Sequence, residues 1–249
     1  MAGHSAFKNI MHKKGRADAA RARIFAKLGR EITVAAKMGM PDPAMNARLR
    51  LAIQAARAEN MPKDNIERAV KKASGTDTAN YDSIRYEGYG PGGVAILVEA
   101  ATDNRNRTAS DVRSMFAKAG GQLAGSGAVA WQFEPRGLIS IPAGRLDPDE
   151  IALTAIDAGA SDVDTSDPSV IEVYTEPADL ERVRAAIEAG GIAVESAEST
   201  MIAKQTVELD AHRARQNLRL IEMLEDLDDV QRVTANFDIP EDVFAELAG

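Results

Sequence analysis

The side chains able to do chemistry in this 249-residue chain are mostly cations, and they crowd one end. Lys8, Lys13, Lys14 and Arg16 are followed by Arg23, Lys27, Arg30 and Lys37. Residues 1–72 hold sixteen Lys/Arg and six Asp/Glu, a net of +10; the remainder holds fourteen and thirty-two, a net of −18. The formal charge of −8 therefore hides a cationic module joined to an anionic body. Charge separated in this way points to a polyanionic partner, because Lys and Arg neutralise phosphates and release their counterions. Such contacts supply affinity and little sequence information.

A second cluster is Thr102-Asp103-Asn104-Arg105-Asn106-Arg107-Thr108. It has two readings. Asn106 or Thr108 caps a following helix while Asp103 pairs with an arginine, or Arg105 and Arg107 hold an anion near a helix N-terminus, as in a small-molecule enzyme site. Gly88-Tyr89-Gly90-Pro91-Gly92-Gly93 resembles a phosphate-cradling loop. Such loops leave a strand and enter a helix, whereas this one leads into a strand, so a hairpin connection is the simpler account. His4, His12 and His212 have no partners at metal-ligand spacing. Asp162–Asp167 has Asp167 where a calcium loop needs Gly, and reads as a turn. No metal, no cofactor and no catalytic residue set is expected.

The absence of cysteine fits a reducing compartment. No apolar run reaches the ~20 residues of a membrane span, and Met1–Ser5 has no apolar signal core. A monomeric cytoplasmic protein with no membrane partner is the expectation.

The cations need elements to position them. At 100° per residue, Arg16, Arg23, Lys27, Arg30 and Lys37 fall within an arc of about 80° on a helix from about Arg16 to Met38. Ile24, Phe25, Leu28, Ile32 and Ala35 form another arc about 140° away. The cationic row is either a binding face or an ordinary solvated one. Asp42-Pro43 reads as cap and first turn of a second helix, and Pro62 opens a third, with Lys63, Lys71 and Lys72 outward. Residues 74–80 read as a linker.

Beyond it the period changes. A short strand at Ile84–Tyr86, a strand at Val94–Ala101, a helix to Ala119 and a strand at Ala128–Glu134 are expected, the last placing Trp131 in a core or domain contact. Leu138–Ile141, Asp149–Ala158, Ser161–Asp164, Val170–Thr175, Ala178–Ala189 and Ile192–Ala197 give βαββαβ. Met201–Leu209, Arg213–Leu227 and Val230–Phe237 complete a second such set with the earlier strand–helix–strand. The fold class is therefore α+β in three domains: a basic helical bundle at 1–75, a discontinuous ferredoxin-like domain at 76–135 with 200–249, and an acidic ferredoxin-like domain at 136–199 inserted in it. The acidic run Glu222–Asp229 reads as a solvated face, or as a repeller of nucleic acid that orients the basic module.

Gly3-His4-Ser5, the stretch Ile24–Lys37, Asn60–Ile66, Tyr86–Gly93, Thr102–Thr108 and Val129–Phe133 together resemble the YebC/PmpR family over almost the whole chain. The resemblance implies a helical N-terminal domain plus two α/β domains. It implies a DNA-binding transcriptional regulator of the cytoplasm; relatives are also described as translational activators acting with the ribosome, which would make ribosomal RNA the target. The family start usually runs Gly-His-Ser-Lys-Trp, and here Ala6 and Phe7 replace the cation and the indole. A phenylalanine can still stack on a base. Three functions follow as expectations: a nucleic-acid-binding regulator using the eight cations named first; an enzyme with Asp103, Arg105 and Arg107 in a closed pocket; or a scaffold contacting protein through its acidic surfaces.

Overall fold

A computed structural model describes residues 17–74, 81–144, 147–167 and 169–238, without the side chains of 17–21 and 74. It divides into two compact units, with cuts between Gln132 and Phe133 and between Lys204 and Gln205.

The first unit comprises Gly15–Gln132 together with Gln205–Phe237. Its helices α1 (Ala17–Met38), α2 (Ala47–Ala58) and α3 (Lys63–Ser74) form a bundle. Apolar residues at helical spacing close its core: Ile32, Ala35 and Ala36 of α1 pack with Leu49, Ile53 and Ala56 of α2 and Ile66 and Ala69 of α3. Phe25 and Leu28 extend that contact.

The start of α2 differs from the expected Asp42-Pro43 cap. Asn46 is the N-cap, accepting from the Leu49 amide at 3.0 Å. Its side-chain amide donates to the carbonyls of Ala35 and Met40, each at 2.8 Å, so one buried side chain caps α2 and closes α1. Asp42 makes only a local turn, accepting from the Ala44 amide. Asn60, at φ 58°, ends α2 in the left-handed region. Its amide bonds Arg57 and that of Met61 bonds Ala56, the paired closure of a Schellman motif.

The α/β part of this unit is an antiparallel sheet of β1 (Asp82–Gly90), β2 (Val94–Thr102), β3 (Gln122–Ala124) and β9 (Val230–Ala235) in the order β3-β1-β2-β9. Helices α4 (Arg105–Lys118) and α7 (Ala211–Glu225) belong to it. β1 and β2 pair from Asp82↔Thr102 to Gly90↔Val94, so the glycine run is a tight hairpin. Gly93 donates to the Gly90 carbonyl, and Gly92 and Gly93 have φ of 84° and 80°, which explains the glycines without a nucleotide.

The expected strand at 128–134 is replaced. Ala130–Gln132 is a single 3₁₀ turn, because the amides of Gly127, Val129 and Ala130 donate to the buried Glu87 carboxylate rather than to a neighbouring strand. Trp131 is then not core; it is 68% exposed.

Among the described residues the second unit holds Phe133–Lys204 and Asp238. β4 (Phe133–Pro142), α5 (Pro148–Asp157), β5 (Asp162–Asp164), β6 (Val170–Thr175), α6 (Leu180–Ala189) and β7 (Ser196–Ala203) follow the βαββαβ order, and the sheet runs β5-β6-β4-β7. That is the ferredoxin-like arrangement. Its core includes Leu138, Ile139, Ile141, Ile151, Val173, Leu180, Val183 and Ile187. β7 is later and longer than the expected Ile192–Ala197, since it pairs with β4 from Ser140↔Ser196 to Phe133↔Ala203. The expected strand Met201–Leu209 is split: residues 201–203 end β7, and Val207–Glu208 form β8, paired with β10 (Phe237–Asp238). In the first sheet β1, joined to β2 by the hairpin, stands between β3 and β2, and the β8–β10 pair lies outside that sheet. Among the described residues no helix is long and apolar enough to cross a membrane.

Candidate nucleic-acid interface

Lys8, Lys13, Lys14 and Arg16 lie outside the described residues. The helical part of the cationic row is described, and most of it is occupied from within the chain. Arg23 donates to the Asp226 carboxylate. Lys27 donates to the Glu225 carbonyl. Arg30 donates to the Asp228 carbonyl and, at 3.1 Å, to Asp229 Oδ1. Lys37 is exposed at the last turn of α1. The acidic run therefore does not face solvent alone: the end of α7 and the loop after it lie on the cationic stripe of α1.

Burial makes this contact more than a surface ion pair. The Arg30 and Asp229 side chains are 16% and 9% exposed. Lys27 is partly buried, and desolvation holds its pKa below the ordinary 10.5 although Glu225, Asp226 and Asp228 pull it upward. Arg30 also lies over the Tyr81 ring at 5.1 Å, with the Lys72 ammonium 5.8 Å from the same centroid.

Asp229 is the hub. Its Oδ2 accepts from Arg107 at 2.7 Å, Thr108 at 2.7 Å and Thr102 at 3.1 Å, while Oδ1 takes Arg30. Burial pushes this carboxyl up, but the hydrogen bonds from Arg107, Thr108 and Thr102 outweigh it and hold the pKa below the ordinary 3.8. Arg107 also reaches Asp103 at 2.8 Å, and Arg105 pairs with Asp82 at 2.8 Å. The helix cap is Asn104, accepting from the Arg107 amide at 3.1 Å, rather than Asn106 or Thr108. The cluster Thr102–Thr108 is thus spent on a cap and on ion pairs.

Beside it an open groove of about 440 Å³ is lined by Arg30, Arg107, Asp111 and 226–229, with Leu227 its one apolar side chain. The enzyme reading requires a closed, partly apolar pocket; this groove is open, and all but one of its lining side chains are charged. Among the described residues no group of three or more His, Cys, Asp or Glu is placed to hold a metal.

Cations remain on the outside of the bundle. Arg57, Lys63, Lys71 and Lys72 are exposed. Lys63 has only a 3.7 Å pair with Glu67, one turn along the same helix. Sequence reasoning missed Asp229 and Glu87, the two buried carboxylates on which the site turns. Asp229 is one acid among several in Glu222–Asp229, and nothing in the sequence distinguishes it.

Comparison with known proteins adds three findings. Residues 5–76 match a family model described as the TACO1/YebC protein N-terminal domain. Residues 81–237 match one described as the TACO1/YebC second and third domain. A crystal structure of a conserved hypothetical protein from Aquifex aeolicus is 46% identical, with a TM-score of 0.84, over 90% of this chain and 92% of that one.

Proposed function

The chain belongs to the TACO1/YebC family, and on that premise we propose that it is a cytoplasmic nucleic-acid-binding regulator of gene expression, acting on DNA to control transcription. The observation that carries the reading is the charge separation: +10 within residues 1–72 of a chain whose total is −8. Lys8, Lys13, Lys14 and Arg16 neutralise phosphates as a tail, and Lys37 with the outward Arg57, Lys63, Lys71 and Lys72 continues the surface. Arg23, Lys27 and Arg30 have a different first role, because the acidic loop 225–229 already occupies them. Phosphates reach those three only by displacing carbonyl and carboxylate oxygens of the same chain.

The test is fluorescence anisotropy with labelled duplex DNA and ribosomal RNA fragments across a salt series. Changing Lys13 and Lys14 to Glu should lower the slope of log K against log salt by about 0.9 for each lost B-DNA phosphate contact. An unchanged slope refutes the tail as the contact.

A second reading makes ribosomal RNA the target, with translation the regulated step. Exposed Trp131 and Tyr89 favour it, because aromatic side chains recognise unpaired bases. Cross-linking in cells with sequencing of the bound nucleic acid, beside gradient sedimentation, separates the two: promoter DNA supports the first reading, and co-migration with ribosomes the second.

A further inference from the structure

Two aromatic rings stand in solvent at one end of the first sheet. Trp131 is 68% and Tyr89 37% exposed. Both are tied to one atom: the Tyr89 hydroxyl donates to the Ala128 carbonyl at 3.0 Å and the Trp131 indole N–H to the same oxygen at 3.1 Å. Their donors are spent on the protein's own backbone, so what they offer a partner is ring face. The turn that carries Ala128 and Trp131 is itself pinned. Glu87 is 4% exposed and accepts the amides of Gly127, Val129 and Ala130 at 2.7, 2.7 and 2.8 Å. The three hydrogen bonds overcome the desolvation that pushes this carboxyl up, and hold its pKa below 4.5, so it stays an anionic acceptor at neutral pH. A buried carboxylate thus holds the turn beneath an exposed indole.

The same end of the sheet carries cations. The Arg213 side chain lies over Gly92, where an added Cβ would stand 3.1 Å from its Cδ. Asn217 ties α7 to this hairpin by donating to the Pro91 carbonyl at 2.8 Å. Between Asp210 and Glu222, α7 contains Arg213, Arg215 and Arg219 and no acidic residue, and all three arginines are exposed. The basic half of α7 therefore lies at the hairpin, and its acidic end at α1.

We infer that Tyr89 and Trp131 form a stacking platform for unpaired nucleobases, with Arg213 the adjacent cation for their phosphates; this rests on the nucleic-acid reading above. Aromatic faces beside a basic surface are how single strands are held without sequence preference. A duplex keeps its bases stacked on one another and offers the rings nothing to cover.

Trp131 is the single tryptophan of the chain, so its emission reports this site alone. The full chain is titrated with a labelled single-stranded oligouridylate and with a matched RNA duplex, reading label anisotropy and Trp131 emission together. Emission should be quenched in step with anisotropy for the single strand and stay constant for the duplex. Trp131→Ala should weaken single-strand binding roughly 5- to 150-fold, the range for one lost base–aromatic stack, while Trp131→Phe keeps most of it. Circular dichroism confirms that each variant is folded. Single-strand binding with unchanged Trp131 emission overturns the platform and leaves the nucleic-acid reading standing. Equal quenching by the duplex overturns the choice of unpaired bases. No binding of either nucleic acid sinks both.

Discussion

Replacing Asp229 by Ala should destabilise the first unit by about 3 kcal/mol. The carboxylate is 9% exposed and accepts from Arg30, Arg107, Thr102 and Thr108. Its removal takes the carboxylate acceptor from two hydroxyls, on residues 0% and 1% exposed, of which Thr108 keeps the Asn104 carbonyl at 3.1 Å, and leaves the Arg30 guanidinium without its buried counter-charge. Breaking a buried pair by deleting one partner costs about 3–5 kcal/mol. The low end applies because Arg107 is 48% exposed and recovers water. For a unit of this size that is a fall in Tm of roughly 6–12 °C.

The pH dependence follows from the depressed carboxyl. Its folded pKa lies below its unfolded one, so its stabilisation is complete above the unfolded value near 4 and is lost as pH falls through the folded value. Asp229→Asn should therefore flatten the acid limb of stability against pH as well as lower the neutral value. Urea unfolding followed by circular dichroism gives the energies, and hydrogen exchange in peptides covering α4 and β9 assigns them to this unit. A loss under about 1 kcal/mol for Asp229→Ala, or an unchanged acid limb for Asp229→Asn, refutes the hub.

Glu87→Gln removes a charged acceptor of three backbone amides and should cost about 2 kcal/mol, seen as faster hydrogen exchange at 127–130. Gly88→Ala places a Cβ 2.6 Å from Phe116 Cε1 and 2.8 Å from the Gln122 carbonyl, so about 1–3 kcal/mol should be lost in chemical denaturation. Lys27 has a folded pKa below 10.5, so between the two values the unfolded chain holds more protons and this group's contribution to stability rises with pH. Amine-detected NMR should find its titration below that of the exposed lysines, and Lys27→Met should remove this pH-dependent component.

The helical stripes of α1 could be read from the chain because the 3.6-residue period is a local property: Ile32 and Ala35 must point one way and Lys27 and Arg30 another, whatever they meet. The hairpin at Gly90–Gly93 was equally legible, since Pro91 and glycines at positive φ leave few other turns. The βαββαβ order of the second unit followed from alternating periods, which fix element type more firmly than element ends. β7 shows the difference. Its length is set by pairing with β4, more than fifty residues earlier, and no local signal records that.

What met the cationic stripe was not legible. Arg23 and Asp226 are 203 positions apart, and charge complementarity alone does not say whether Arg23 waits for a phosphate or already holds a carboxylate. Trp131 reads as core or domain contact because 128–134 reads as a strand; Glu87, forty-odd residues before it, takes the amides of the turn and leaves the indole exposed. The sequence by itself determined the segregation of charge, the helical bundle with its cationic and apolar faces, the hairpin, and the family. Tertiary structure alone decided which cations are neutralised within the chain, which carboxylates are buried, and which aromatic ring remains in water. Those are questions of distance and desolvation between segments remote in sequence, and they are answered only when the fold brings the segments together.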